Sequence, residues 1–208
     1  MQVTLSHRSS DWYTVLSIGA DAELTATNQE PSMSDRIGVI SDTHGLMRPE
    51  AILALQGSSV IIHAGDIGSD TVLRVLEKIA PVYAVRGNND TAEWASTIPH
   101  ETSLTIGGIV IHIVHDIADL RLKRAAGQAR VVVAGHSHRP LIDERGGILY
   151  INPGSAGPRR FRLPVSVARL DIRNQHPIAT LIELNCVPSG SHGTCHAGQG
   201  ATRESNRP

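Results

Sequence analysis

Val131-Val132-Val133-Ala134-Gly135-His136-Ser137-His138 is the stretch from which the rest of the chain can be read. Its first half is short, apolar and β-branched, the pattern of a buried strand, and Gly135 marks where the backbone leaves the sheet. The two imidazoles that follow stand at the C-terminal end of that strand, where open α/β sheets place their ligands. Neutral imidazole is also the commonest nitrogen ligand of transition metals. A lone pair of this kind serves as often in a turn as at a metal, so its weight depends on what the other strand ends carry.

Toward the N-terminus the same arrangement recurs. Arg36 to Ser41 reads as a buried first strand, followed at once by Asp42-Thr43-His44-Gly45. Pro49 suits the first turn of a helix, with Ile52, Leu53 and Leu55 as apolar contacts and Gly57 as its stop. Val60 to Ala64 is a second strand and ends in Gly65-Asp66. Ser69 or Asp70 then caps a helix whose apolar face is Val72, Leu73, Val75, Leu76 and Ile79. Pro81 to Val85 is a third strand, ending in Arg86-Gly87-Asn88-Asn89-Asp90. Strands alternating with helices in this way predict a parallel sheet.

The second half changes character. Thr102 to Ile106 and Ile109 to Val114 form a hairpin across Gly107-Gly108 and run into His115-Asp116. A helix from about Ala118 to Ala126 leads back to the Val131 strand. Leu141 to Asp143 and Ile148 to Ile151 pair across Gly146-Gly147 and end in the turn Asn152-Pro153-Gly154-Ser155. Val165 to Asp171 and Ile178 to Leu184 alternate as strands around Arg173-Asn174-Gln175-His176. Crossovers first and hairpins later predict a mixed α/β architecture with two packed sheets.

The chain of 208 residues, 40% hydrophobic and 19% charged, has the length and balance of one soluble globular domain. A net charge of -1 and an aromatic content of 3% argue against nucleic acid as the main partner. Cys186 and Cys195 both lie in the tail, so neither thiolate nor disulfide serves the core. No run approaches the roughly 20 apolar residues of a membrane span. The expected layout is an extension over residues 1–34, disordered or foreign to the native protein, a domain over 35–185, and a Ser/Gly/His-rich disordered tail over 186–208. Trp12 to Ala20 is weakly apolar, but Asp11 and Asp21 flank it and no charged leader precedes it, so the cytoplasm is the expected compartment.

Collected from the strand ends, the chemistry-bearing residues are Asp42, His44, Asp66, Asn88, His115, His136 and His138. Parallel packing brings such junctions to one edge. An oxygen and nitrogen donor set without thiolate suits manganese, iron, zinc, nickel or magnesium. Seven groups exceed the needs of one tetrahedral ion and match two ions sharing a carboxylate. Such a pair, about 3.5–4 Å apart, stabilises both the attacking and the leaving oxygen of a displacement at phosphorus.

These residues resemble the calcineurin-like metallophosphoesterases, and among them the small phosphodiesterases of the YfcE type. The matching signatures are Ser41-Asp42-Thr43-His44-Gly45, Gly65-Asp66, Gly87-Asn88-Asn89-Asp90, His115 after a strand, and Gly135-His136-Ser137-His138. Asn152-Pro153-Gly154-Ser155, with Pro158-Arg159 beyond it, is similar too, and the likeness runs from Arg36 to Leu184. The resemblance implies a four-layer α/β/β/α sandwich of the metallophosphoesterase type. It implies a metal-dependent phosphodiesterase acting on small phosphate esters, with two divalent ions, manganese first among them. Asp42, His44, Asp66 and His138 would hold the first ion, and Asp66, Asn88, His115 and His136 the second. A hydroxide between the ions would attack, so Asp66, Asn88 and His136 would be catalytic through the metals and no side chain would be the nucleophile. Many family members carry histidine directly after the metal-binding asparagine; here Asn89 stands there and cannot act as an acid, which leaves the proton donor open. Asp116 takes the place of a common glycine at the site mouth.

Other polar residues read more simply. His63 lies within a strand and suits a buried, hydrogen-bonded role behind the site; His112 faces its hairpin partner. Asn152 and Ser155 read as structural, and Arg159 or Arg160 could meet a phosphate. His192, Cys195 and His196 make a poor metal site. A homo-oligomer is compatible with the sequence. The rival reading is a protein-interaction scaffold like the retromer subunit of similar fold. Completeness of the seven ligand positions favours the enzyme.

Overall fold

The computed structural model describes residues 36–120, 129–160 and 162–184. Extension, tail, the tail group His192, Cys195 and His196 read as a poor metal site, and most of the helix expected from Ala118 to Ala126 lie outside them; Ile117–Asp119 is a 3-10 turn.

The first sheet contains β1 (Arg36–Ile40), β2 (Val60–His63) and β3 (Val82–Ala84), all parallel. Beside β1 lies β9 (Ser166–Arg173), antiparallel, and outside it β10 (His176–Glu183), giving the order β10-β9-β1-β2-β3. The second sheet is built from β4 (Glu101–Ile106), β5 (Ile109–Val114), β6 (Val131–Val133), β7 (Leu141–Arg145) and β8 (Ile148–Asn152), in the order β4-β5-β6-β8-β7. Within it β5, β6 and β8 run parallel, and each hairpin partner closes an edge. The last hairpin is longer than expected. Its strands run up to Asn174 and Gln175, whose positive φ values of 50° and 63° make the tight two-residue turn that a right-twisted hairpin favours.

Side chains alternate across the first sheet and so serve two cores. Ile37, Val39 and Ile62 meet Ile111, Ile113, Val131 and Val133 of the second sheet. From the other face Ile40 and Ile61 pack with Leu55 of α1 (Pro49–Leu55) and with Val72 and Leu76 of α2 (Asp70–Leu76). Two mixed sheets packed together, with helices outside the first, make this an α/β sandwich, the class that the order of elements predicts. One helix contact differs from expectation: Leu53 is 71% exposed, because seven residues of helix present only Ala51 and Leu55, four apart, to the sheet. Ser69 caps α2 as expected, accepting from the Thr71 N–H at 3.2 Å.

This topology places β1, β2, β3, β5, β6 and β8 so that the chain leaves each parallel set along one edge of its sheet. Loops after those strands therefore gather, and they are the loops that carry the seven candidate ligands.

Candidate metal centre

The backbone itself singles out these loops. Asp42, His44, Asp66, His136 and His138 have φ values of 54°, 46°, 52°, 64° and 56°. Among the described residues the only other non-glycine positions with positive φ are Asn174 and Gln175. Left-handed conformations at such residues cost of order 1–3 kcal/mol each and persist where the surroundings over-determine them. Here the loops brace one another: the N–H groups of Asp42, His44 and Gly45 donate to the carbonyls of Gly65, Asp66 and Ile67 at 3.0, 2.9 and 2.7 Å.

The side chains then converge in two groups. In one, Nε2 of His138 lies 3.2 Å from Oδ1 of Asp42 and 3.4 Å from Nε2 of His44. In the other, Oδ1 of Asn88 lies 3.2 Å from Nε2 of His115 and 3.1 Å from Nδ1 of His136. Asp66 stands between them. Its Oδ2 is 3.9 Å from Nε2 of His44, and its Oδ1 is 3.5 Å from Nε2 of His115. Asp42 is central as well, since its oxygens also lie within 4.8 Å of ligand atoms of both Asp66 and His115. All seven expected residues thus meet at one site.

Metal fit is tested by Oδ1 of Asp42, which is buried and receives no hydrogen bond among the described residues. A carboxylate oxygen facing an imidazole nitrogen needs a proton or a cation between them. Burial, then the charges of Arg160 and His44, push His138 down to about 4, so its ring is neutral near pH 7, and with its one proton on Nδ1 it offers Nε2 to a cation beside Oδ1 of Asp42. His44 is lowered too, chiefly by burial. Burial likewise pushes Asp42 up to about 6. Burial also opposes charge on Asp66, but hydrogen bonds from His115 and Asn89 outweigh it and hold the carboxyl well below the usual range. His115 is the counterpart: burial lowers it, while Asp66 and the Ala64 carbonyl raise it further. Its Nδ1 lies 2.7 Å from that carbonyl and donates to it, which leaves Nε2 as the atom offered to the site.

The glycines in these motifs serve close approach. A Cβ on Gly87 would strike Oδ1 of Asp66, and one on Gly135 would strike the side chains of Ser41 and Asp42. Ser41 donates to Oδ2 of Asp42 at 2.7 Å, and the His136 N–H reaches the same oxygen at 3.1 Å. His63 is buried, as expected. Its Nδ1 accepts from the Gly65 N–H at 3.2 Å, so Nε2 donates to Oγ1 of Thr43 at 3.0 Å, and Thr43 donates on to the Ile67 carbonyl at 2.9 Å. His112 meets Ser103 across the hairpin at 2.8 Å. Asn152 donates to the Gly135 carbonyl at 2.6 Å and Ser155 to the Asp42 carbonyl at 2.9 Å, structural work in both cases.

Two members of the Gly87-Asn88-Asn89-Asp90 signature have a part in the site that the sequence did not specify. Asn89 donates to both oxygens of Asp66, from its backbone to Oδ1 at 2.9 Å and from Nδ2 to Oδ2 at 2.5 Å. Asp90 is buried and accepts from the N–H groups of Ile67, Gly68 and Gly87, tying the Asp66 loop to the Asn88 loop. Of the two arginines considered for phosphate, Arg159 donates to the Leu163 carbonyl, whereas Arg160 reaches to 3.4 Å from Nε2 of His44. Asp116 faces Nε2 of His136 at 3.5 Å.

Residues 36–175 match the family model of the calcineurin-like phosphoesterase superfamily domain. A probable metallophosphoesterase of Methanothermobacter thermautotrophicus is 36% identical over 148 residues, which are 65% of this chain and 86% of that one. A phosphodiesterase of Methanocaldococcus jannaschii is 30% identical over 139 residues, 57% of this chain and 82% of its own. Among solved structures, the phosphoesterase YfcE from E. coli superposes with a TM-score of 0.53 at 23% identity, covering 72% of this chain and 100% of that one. Vacuolar Protein Sorting 29 from Cryptosporidium parvum does so with a TM-score of 0.57 at 20% identity, covering 72% and 97%. These two likenesses concern the fold alone. Joined to the family match over most of the described chain, they lead to one conclusion: the protein belongs to the calcineurin-like phosphoesterase superfamily.

Proposed function

We propose that the protein is a phosphodiesterase that hydrolyses small phosphate esters with the help of two divalent ions, manganese first among the candidates. The observation that carries this reading is the meeting of seven ligand-capable residues with Asp66 at their centre, the buried Oδ1 of Asp42 having no donor among the described residues. Asp42, His44 and His138 form one half of the site, Asn88, His115 and His136 the other, and Asp66 offers an oxygen to each. When bound, divalent ions in such a site supply Lewis acidity toward a phosphoryl group and make water acidic enough to attack near neutral pH.

The chain's own residues do the rest. Asn89 holds and aims both oxygens of Asp66, and His115, its Nδ1 committed to the Ala64 carbonyl, offers Nε2. Burial lowers both His44 and His138, which favours the neutral rings that a metal ligand needs. Arg160, beside His44, is placed to take a non-bridging phosphoryl oxygen. Asn89 cannot protonate a leaving oxygen, which favours esters whose alcohol leaves without strong acid catalysis. A cleft of about 470 Å3, lined by Asn88, His115 and His136, is the size of a small-ligand site. The name of the Methanocaldococcus jannaschii relative supports diesters over monoesters. We further read residues 35–185 as the functional domain and the cytoplasm as its compartment. Among the described residues no helix is long and apolar enough to cross a membrane.

The deciding experiment is hydrolysis of bis(p-nitrophenyl) phosphate and then p-nitrophenyl phosphate, with manganese, nickel or EDTA, beside Asp66→Ala. Metal-dependent turnover of the diester, lost in the variant, is expected. Activity no higher than that of the variant would overturn the enzyme reading in favour of a protein-interaction scaffold.

A further inference from the structure

The cleft that reaches Asn88, His115 and His136 is also lined by Arg86 and His100, which the reading above does not use. The two are brought together by the backbone: the Arg86 N–H donates to the Pro99 carbonyl at 2.9 Å, which sets the end of β3 against the start of β4. Across that junction Nε and Nη2 of Arg86 both reach Nε2 of His100, at 3.1 and 2.6 Å. Nε2 of His100 is the acceptor in this contact. It fixes the direction of Arg86 without cancelling the charge.

No carboxylate cancels it either. Among the described residues Arg86 has no ion pair, although three acids line the same cleft. Glu101 is turned to Nε2 of His112 at 3.4 Å. Asp116 accepts from the Ala118 N–H at 2.9 Å and faces His136. Asp119 is exposed and makes no contact with Arg86. An oriented guanidinium without an ion pair, in the wall of a substrate-sized cleft, is placed to bind an anionic group.

We propose that Arg86, held by His100, is a specificity subsite for a second anionic group, a carboxylate or a phosphate carried on one alcohol of the phosphodiester. It rests on the phosphodiesterase reading and deepens it by naming the substrate class: diesters with an anionic alcohol portion rather than neutral ones. Arg160, on the His44 side of the site, would take the reacting phosphoryl group, and Arg86 the remote anion.

A matched pair of chromogenic esters tests this: the 4-nitrophenyl phosphodiester of 3-hydroxypropionate, and the same ester with its carboxylate replaced by carboxamide. The manganese-loaded protein is expected to show a KM about fivefold lower for the carboxylate, the scale of one favourable ion pair near a surface. Arg86→Gln should bring the ratio of the two KM values to about one, and His100→Gln should reduce it partway. Equal KM values in the parent protein, or a ratio that survives Arg86→Gln, would overturn the subsite. Should neither ester turn over, the phosphodiesterase reading fails. Calorimetric titration of the two esters into the same proteins then reads the subsite through the ratio of Kd values, with the same expected and contrary outcomes.

Discussion

Oδ1 of Asp42 faces Nε2 of His138 across 3.2 Å, and the Asp42 side chain is fully buried. No hydrogen-bond donor among the described residues serves that oxygen. A buried acceptor left without a donor costs about 1–3 kcal/mol, a cost that a cation removes. Adding manganese, nickel or zinc to EDTA-treated protein should therefore raise the thermal midpoint. At about 100 times Kd the gain is about 2.7 kcal/mol, or several degrees for a domain of this size. Differential scanning fluorimetry checks it, with Asp42→Asn expected to lose most of the shift; no shift with any of these ions would count against a metal site here.

His136 and His138 are two residues apart in sequence but contact different partners, Asn88 for the first and Asp42 for the second. His136→Ala and His138→Ala should each bind one ion where the parent binds two, and the double variant should bind none. Elemental analysis after gel filtration reads this. A double variant that still holds one ion would mean that both histidines serve the same one.

Asn89 grips both oxygens of Asp66, and those bonds help hold its carboxyl ionised. Asn89→Ala keeps the backbone bond and loses the side-chain one. Metal affinity should fall about 10- to 100-fold, as it does when groups that orient metal ligands are removed. Circular dichroism should be unchanged. Affinity equal to that of the parent would assign Asn89 to the turn alone.

Burial holds His63 down at about 3, far below the 6.5 of a free imidazole. Between those values the unfolded chain binds a proton that the folded one refuses. Stability therefore falls as pH drops from 6.5 toward 3, by up to about 1.4 kcal/mol per unit from this group, and is unaffected by it above 6.5. Urea midpoints at pH 7.5 and 5.5 measure the slope. In His63→Gln, which keeps a donor for Thr43, the loss on acidification should shrink; an equal loss in both proteins would assign it elsewhere.

Much of the architecture could be read locally because each parallel strand announces itself. An apolar run such as Val60 to Ala64 followed by Gly65-Asp66 carries its own strand, exit and ligand in seven contiguous residues. Helix detail was less legible: Leu53 is as apolar as Leu55, and only the short length and rotation of α1 decide that one is buried. Asn89 shows a different limit. An amide after Asn88 looks like turn chemistry, and its grip on Asp66, 23 residues away, exists only once two loops are side by side.

By itself the sequence determined the strand ends, the donor chemistry and the completeness of the candidate donor set, since these depend on residue type and neighbours in the chain. Tertiary structure alone decided the partners. Only folding sets His44 beside His138 and Asp66 between His44 and His115. It also twists five candidate ligands into left-handed backbone, brings Arg160 to His44, and aims Arg86 through His100. The physical reason is that donor type belongs to the residue, whereas distance, burial and strain belong to the packing of loops that meet at the edges of two sheets.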